Sequence, residues 1–333
     1  MDIPAFRPRF PYFTGDLQTL ANRFVPPACL ARWPQEALRF AMGDGDTLLA
    51  TLHRPGAPTA KPLAILIHGL TGSADSNYVI DSAAHLLTLG HAVLRLNLRG
   101  AGPSRALCKG QYYAGRSQDL RELLRLLPDE LTANGIIGIG YSLGGAMLLK
   151  YLGEEGTASR LMAAASVSAP IDLSVTCAHM QRLRNWVYHA HILANMKTEA
   201  TGLGAEVSAA ERAAILRSRS VWDYDEFFIG PRHGFAGAED YYEKNKPLRF
   251  IDGIRVPTLL ISAADDPWIP VATYASVDWR GNPALTPLLP SGGGHVGFFA
   301  ASDAVRWHDR AIERFLAAQN FALASSRAAS TAP

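Results

Sequence analysis

Gly140, Tyr141, Ser142, Leu143 and Gly144 form a G-x-S-x-G pentapeptide. In a chain with 29 glycines the pattern alone says little, but its surroundings say more. The apolar run IIGIGYS reads as a buried strand, and GGAMLLKYLGEEG reads as a helix that begins at once. Strand, sharp turn and helix are what a nucleophile elbow needs. Glycines on both sides remove the Cβ clashes that would forbid the strained turn. The serine hydroxyl then projects beyond the sheet edge, over a helix N-terminus that favours negative charge. The plainer alternative is an ordinary glycine-rich strand-to-helix turn.

A serine hydroxyl is a weak nucleophile at neutral pH and needs a base. Among ten histidines, His295 lies in SGGGHVGF, a glycine-rich loop after a strand, where reach rather than packing is served. His308 and His91 sit in a helix and at a strand start and read as surface or packing residues. The imidazole in turn needs an acid to orient it. ISAADDPWIP offers Asp265 and Asp266 at the end of a strand. Asp266 is preferred because it should leave the sheet and reach sideways, with Asp265 capping the turn; Asp172, after AAASVSAP, is a third candidate. The order Ser142, Asp266, His295 is that of the α/β-hydrolases rather than of chymotrypsin or subtilisin.

Acyl transfer also needs donors aimed at a tetrahedral oxyanion. The backbone N–H groups of Leu143, next after the serine, and of Leu70, in the loop HGLTG, suit that role. His68 reads as a brace for this loop rather than a base.

These residues must be held by a scaffold. Residues 1–35 are rich in proline and aromatics and read as a wrapping arm. GDGD between two apolar runs marks a hairpin. From LAILIHG onward strands and helices alternate, through SNYVIDSAAHLLTLG, HAVLRLNLRG, SQDLRELLRLL and the elbow, to a closing helix in DAVRWHDRAIERFLAAQ. That alternation predicts a mostly parallel sheet with helices on both faces, over residues 36–320. The alternation stops over about 171–250, a helical, aromatic insertion that reads as a cap. Residues 321–333 read as a disordered tail.

The chain has 333 residues with 32 Lys+Arg and 30 Asp+Glu, a net charge of +2 and 48% hydrophobic residues. Charge this balanced argues against a nucleic-acid binder. No 18-residue apolar run or signal-peptide core is visible, so a cytoplasmic protein is expected. Cys29, Cys108 and Cys177 form no CxxC and read as reduced thiols. His189 and His191 would point to different faces of a helix, so no metal site is expected. GIGYSLGG fails the dinucleotide fingerprint at its third position, and no cofactor is implied.

Together IHGLTG, NLRGAGPS, GYSLGG, ISAADDPWIP and GGGHVGF resemble the YheT-like branch of the α/β-hydrolases, over about residues 5–318. The likeness extends to LQTL, the GDGD hairpin and YYEKNKP. The resemblance implies an eight-stranded sheet, a helical cap and serine-dependent ester hydrolysis. Two positions depart from it: Tyr113 stands where the family often has histidine, and Ala101 where it commonly has cysteine.

The leading reading is a serine esterase acting on small-molecule esters with short to medium or lipid-like acyl groups. A thioesterase, lipase or phospholipase would use the same machinery. A binding protein that kept the fold without the activity is the alternative of another class. The basic stretch HMQRLRNWVYHAHILANMK leaves peripheral contact with a membrane surface open.

Overall fold

Alternate side chains of strand β3 (Leu63–Ile67) enter two different cores. Leu63, Ile65 and Ile67 pack with Leu120, Leu123 and Leu124 of the helix Ser117–Leu126 and with Met147 and Leu148 of the helix Leu143–Glu155. Ala64 and Leu66 pack with Val79, Ala83 and Leu86 of the helix Asn77–Thr88 and with Ile312 and Phe315 of the helix Trp307–Ala318. Strand side chains alternate with period two, so a run of uninterrupted apolar residues can satisfy both faces only when both are covered. The computed structural model describes residues 3–57, 59–301 and 303–319; the tail expected from residue 321 lies outside them.

The same logic builds β5 (Ile136–Tyr141), β6 (Ala163–Val167) and β7 (Thr258–Ile261), in which every residue is buried. With β1 (Gln35–Ala41), β2 (Thr47–His53), β4 (Val93–Leu96) and β8 (Leu285–Leu288) they form one eight-stranded sheet, ordered β1-β2-β4-β3-β5-β6-β7-β8. β2 is antiparallel to both neighbours and the other pairs are parallel. The GDGD turn closes the first hairpin, pairing Ala41 with Thr47. This is the mostly parallel α/β-hydrolase sheet that the sequence leads one to expect.

Between β6 and β7 the chain runs through the helices Leu173–Met180, Trp186–Ala200, Ala209–Arg217 and Ala238–Asn245. They enclose a third core that includes Ile192, Met196, Tyr224, Phe228 and Tyr241, and it packs against Leu70 and Leu143. The segment therefore closes over the elbow and the HGLTG loop.

Within residues 1–35, Gly15–Phe24 is a helix, begun by Thr14, whose side chain accepts the N–H of Leu17. Its buried residues are Gly15, Gln18, Thr19 and Ala21, small or polar. A search for an apolar inward face passes over such a helix, because its inward face is the polar one.

Candidate active site

The elbow is a strained turn. Ser142 has φ 51° and ψ −123°, a region that L-residues populate only when their surroundings impose it. Its N–H donates to Val167 O at 2.8 Å and the helix Leu143–Glu155 starts at the next residue. Gly144 is required by close approach: a Cβ there would lie 2.3 Å from His68 O.

Ser142, Asp266 and His295, far apart in sequence, are brought together. His295 Nε2 lies 2.9 Å from Ser142 Oγ, and its Nδ1 lies 2.9 Å from Asp266 Oδ2. Asp266 follows β7 in the ADDPW turn, where its Oδ1 accepts the N–H groups of Trp268 at 2.8 Å and Ile269 at 3.0 Å. These donors fix the orientation of the buried carboxylate. Asp265 does something else: its Oδ1 accepts the N–H of Gly294 at 2.8 Å, tying the histidine loop to the turn. Asp172 caps the helix Leu173–Met180, its Oδ1 accepting the N–H of Val175.

His295 is held through its backbone as well as its ring. Thr19 Oγ1 accepts the N–H of His295 at 2.8 Å and Asn22 Nδ2 donates to its carbonyl at 3.1 Å. The Trp268 ring lies against the imidazole, with centroids 4.2 Å apart and planes at 31°. None of these three was singled out in the sequence. For Trp268 a signal existed, since it stands two residues after Asp266. Thr19 and Asn22 carry none, because their partners lie more than 270 residues away.

The HGLTG loop passes directly over the serine; a Cβ on Gly69 would come within 2.9 Å of Ser142 Cβ. Leu143 is the first residue of its helix, so no helical carbonyl can take its N–H, and the Leu70 N–H has no backbone acceptor among the described residues. His68 is buried, and burial lowers its pKa to about 4. It is therefore neutral: Nδ1–H donates to Gly69 O at 2.8 Å while Nε2 accepts the N–H of Leu98 at 3.1 Å. That arrangement braces the loop.

A second brace comes from across the site. Thr71, at φ 56°, donates its N–H to Tyr112 Oη at 2.6 Å, and Tyr112 donates in turn to Glu199 Oε2 at 3.0 Å. Glu199 belongs to the helix Trp186–Ala200, and burial raises its carboxyl to about 7.

Ser142, Leu70 and Leu143 open onto a cavity of about 140 Å³ whose further walls include Leu173, Met180, Ile192 and Met196. Tyr113, at the family's frequent histidine position, also lines it and packs on the His233 ring at 4.4 Å. Ala101 is fully buried. Asp225 lies in a short π-helical turn on the cavity wall, where it accepts from Tyr242 Oη at 2.6 Å and burial raises its pKa to about 7. The remaining histidines lie elsewhere, with His191 exposed. His91 Nδ1 donates to Pro62 O, His308 is buried, and His189 Nε2 accepts the N–H of Val221 while His191 meets Asn195. All three cysteines are free thiols.

Known proteins resemble the chain in sequence and in fold. The model of the alpha/beta hydrolase fold family matches residues 62–191. The chain is 30% identical to "Putative esterase YheT" of Escherichia coli (strain K12), over 79% of this chain and 78% of that protein. It is 24% identical to "Phospholipase ABHD3" of Homo sapiens, over 85% and 71%. It is 29% identical to "Monoacylglycerol lipase" of Saccharomyces cerevisiae, over 77% and 59%. Among solved structures, the Pyrococcus furiosus esterase Pf2001 superposes with a TM-score of 0.59 at 17% identity, covering 88% of this chain and 97% of that one. The chain belongs to the YheT-like, esterase- and lipase-like branch of the α/β-hydrolase family.

Proposed function

We propose that this protein hydrolyses carboxylic esters through an acyl-enzyme on Ser142. The observation that carries the reading is the unbroken line Ser142 Oγ, His295, Asp266, with 2.9 Å at each junction. His295 takes the proton as Ser142 Oγ attacks the ester carbonyl, and Asp266 orients the ring and offsets the charge it acquires. The tetrahedral oxyanion forms against the N–H groups of Leu70 and Leu143. His295 then protonates the departing alkoxide. Water, deprotonated by the same imidazole, attacks the acyl-enzyme, and collapse of the second tetrahedral species returns Ser142 and releases the acid.

The cavity supports a short to medium acyl group. Its volume of about 140 Å³ is close to the roughly 150 Å³ that accommodates one benzene-sized body. The segment between β6 and β7 supplies most of its apolar wall, and we assign that segment the role of a cap. Substrates are small-molecule esters, and no step calls for a metal or cofactor.

Labelling with a fluorophosphonate probe, read by intact mass, tests the reading. One adduct on the wild type and none on a folded Ser142→Ala variant is expected, followed by turnover of p-nitrophenyl esters that peaks at about four to eight acyl carbons. An unlabelled, folded wild-type protein would make it a binding protein instead.

A further inference from the structure

The arm helix Gly15–Phe24 is built inside out. Its polar Gln18 and Thr19 are buried, whereas Leu17, Leu20 and Phe24, spaced three and four apart on one stripe, are 43%, 42% and 74% exposed. Phe10 and Phe13, in edge-on contact just before it, are exposed as well. Amphipathic helices ordinarily turn the apolar stripe inward, so this one presents to its surroundings a surface that water does not favour.

A second exposed apolar group lies alongside. Leu183, Trp186 and Val187, where the chain enters the helix Trp186–Ala200, are 86%, 63% and 58% exposed. Asp16 joins the two: it accepts from Arg184 Nη2 at 2.8 Å and from Tyr188 Oη at 3.0 Å. Within the two segments basic side chains outnumber acidic ones. Arg23, Arg182 and Arg184 are exposed. Residues 173–198 contain no acidic side chain, and between residues 3 and 27 the single acid is Asp16, already held by Arg184 and Tyr188.

We propose that the exposed stripe of the arm helix and residues 183–187 form a docking face for anionic lipid membranes, from which lipid-embedded esters reach Ser142. Apolar and tryptophan side chains ringed by arginine suit the interface between acyl chains and anionic headgroups. A second copy of the chain suits it less, because a two-fold contact would bring two faces carrying the exposed Arg23 and Arg182 together. The face is also continuous with the site. The buried side of the same helix holds His295 through Thr19 and Asn22. Asn185, beside Trp186, donates to Pro267 O, next to Asp266. Tyr188 packs on Trp268, which packs on His295. Only the supply of esters rests on the serine-hydrolase reading; docking itself does not.

Flotation of the full chain with vesicles decides it, comparing phosphatidylcholine alone with phosphatidylcholine containing about one-third phosphatidylglycerol. The expected result is binding that requires phosphatidylglycerol and falls with salt. It should weaken about tenfold or more in Leu183→Ser/Trp186→Ser and in Phe13→Ser/Phe24→Ser, both turning over a water-soluble acetate ester like the wild type. The Ser142→Ala variant should float like the wild type, which separates loss of chemistry from loss of docking. Absence of binding, binding equal in the variants, or a wild-type dimer that the substitutions dissociate would each overturn the proposal.

Discussion

The Trp268 ring lies tilted by 31° against the His295 ring, with centroids 4.2 Å apart. The indole face is electron-rich, so in the proposed mechanism it attracts the positive charge that the ring carries as Ser142 attacks. Replacing Trp268 by leucine keeps the site apolar but removes that face. Turnover of a short acetyl ester should fall about fivefold in kcat, the equivalent of about 1 kcal/mol. Phosphonylation of Ser142 should slow in the same proportion. An unchanged phosphonylation rate would mean the indole only fills space.

Tyr112 links the helix Trp186–Ala200 to the loop that carries Leu70. Tyr112→Phe deprives the Thr71 N–H of its acceptor and Glu199 of its donor. If Thr71 sets the angle of the Leu70 N–H, kcat should drop by about tenfold while KM for a short ester barely moves, since the oxyanion exists only in the transition state. Glu199→Gln, which keeps an acceptor for the phenol, should retain more activity than Glu199→Leu. Steady-state kinetics on the three variants separates positioning from simple packing.

Thr19 touches neither serine nor substrate, yet its hydroxyl receives the buried N–H of His295. Thr19→Val preserves shape and orphans that N–H, at a cost of about 1–3 kcal/mol. Urea unfolding should register the loss as a lower midpoint with unchanged slope, accompanied by slower turnover well below the transition.

Asp225 gives a pH signature. Burial raises its carboxyl from 3.8 to about 7, so the folded chain holds a proton that the unfolded chain releases. The stabilisation is complete below the unfolded pKa and is lost as pH rises through about 7. Buried neutral histidines such as His68 oppose it, because their stabilisation is lost as pH falls below the unfolded histidine value. The two trends partly cancel in the wild type, and a difference isolates the carboxyl. The melting temperature of Asp225→Asn relative to wild type should become more favourable between pH 5 and pH 8. A constant difference would show that Asp225 ionises freely.

The sheet was legible because each central strand is a continuous apolar run, LAILI, IIGIGY or AAASV, which only a doubly covered sheet accommodates. Ser142 and His295 were legible because glycines mark the places where the backbone must bend sharply. Asp266 was distinguishable from Asp265 only by where a strand ends, and the geometry gives the two carboxylates different partners. What supports the site was not legible. Thr19, Asn22, Tyr112 and Glu199 act through contacts between distant segments, and no local pattern announces such pairings. The arm helix was hidden for a sharper reason: its periodicity belongs to the exposed face.

The stitching of the arm onto the last part of the chain bears on the order of folding. Pro8 bridges Ala300, Arg9 N–H donates to Phe299 O, and the Trp307 indole donates to Pro4 O. Contacts of such long sequence separation come at a loop-closure cost that the rest of the sheet must already have offset. The sheet can therefore consolidate while the histidine loop still lacks its support, and competence arrives after compactness. Among refolding probes, recovery of esterase turnover should trail recovery of helical signal, with the segment from Pro4 to Phe24 among the last to settle.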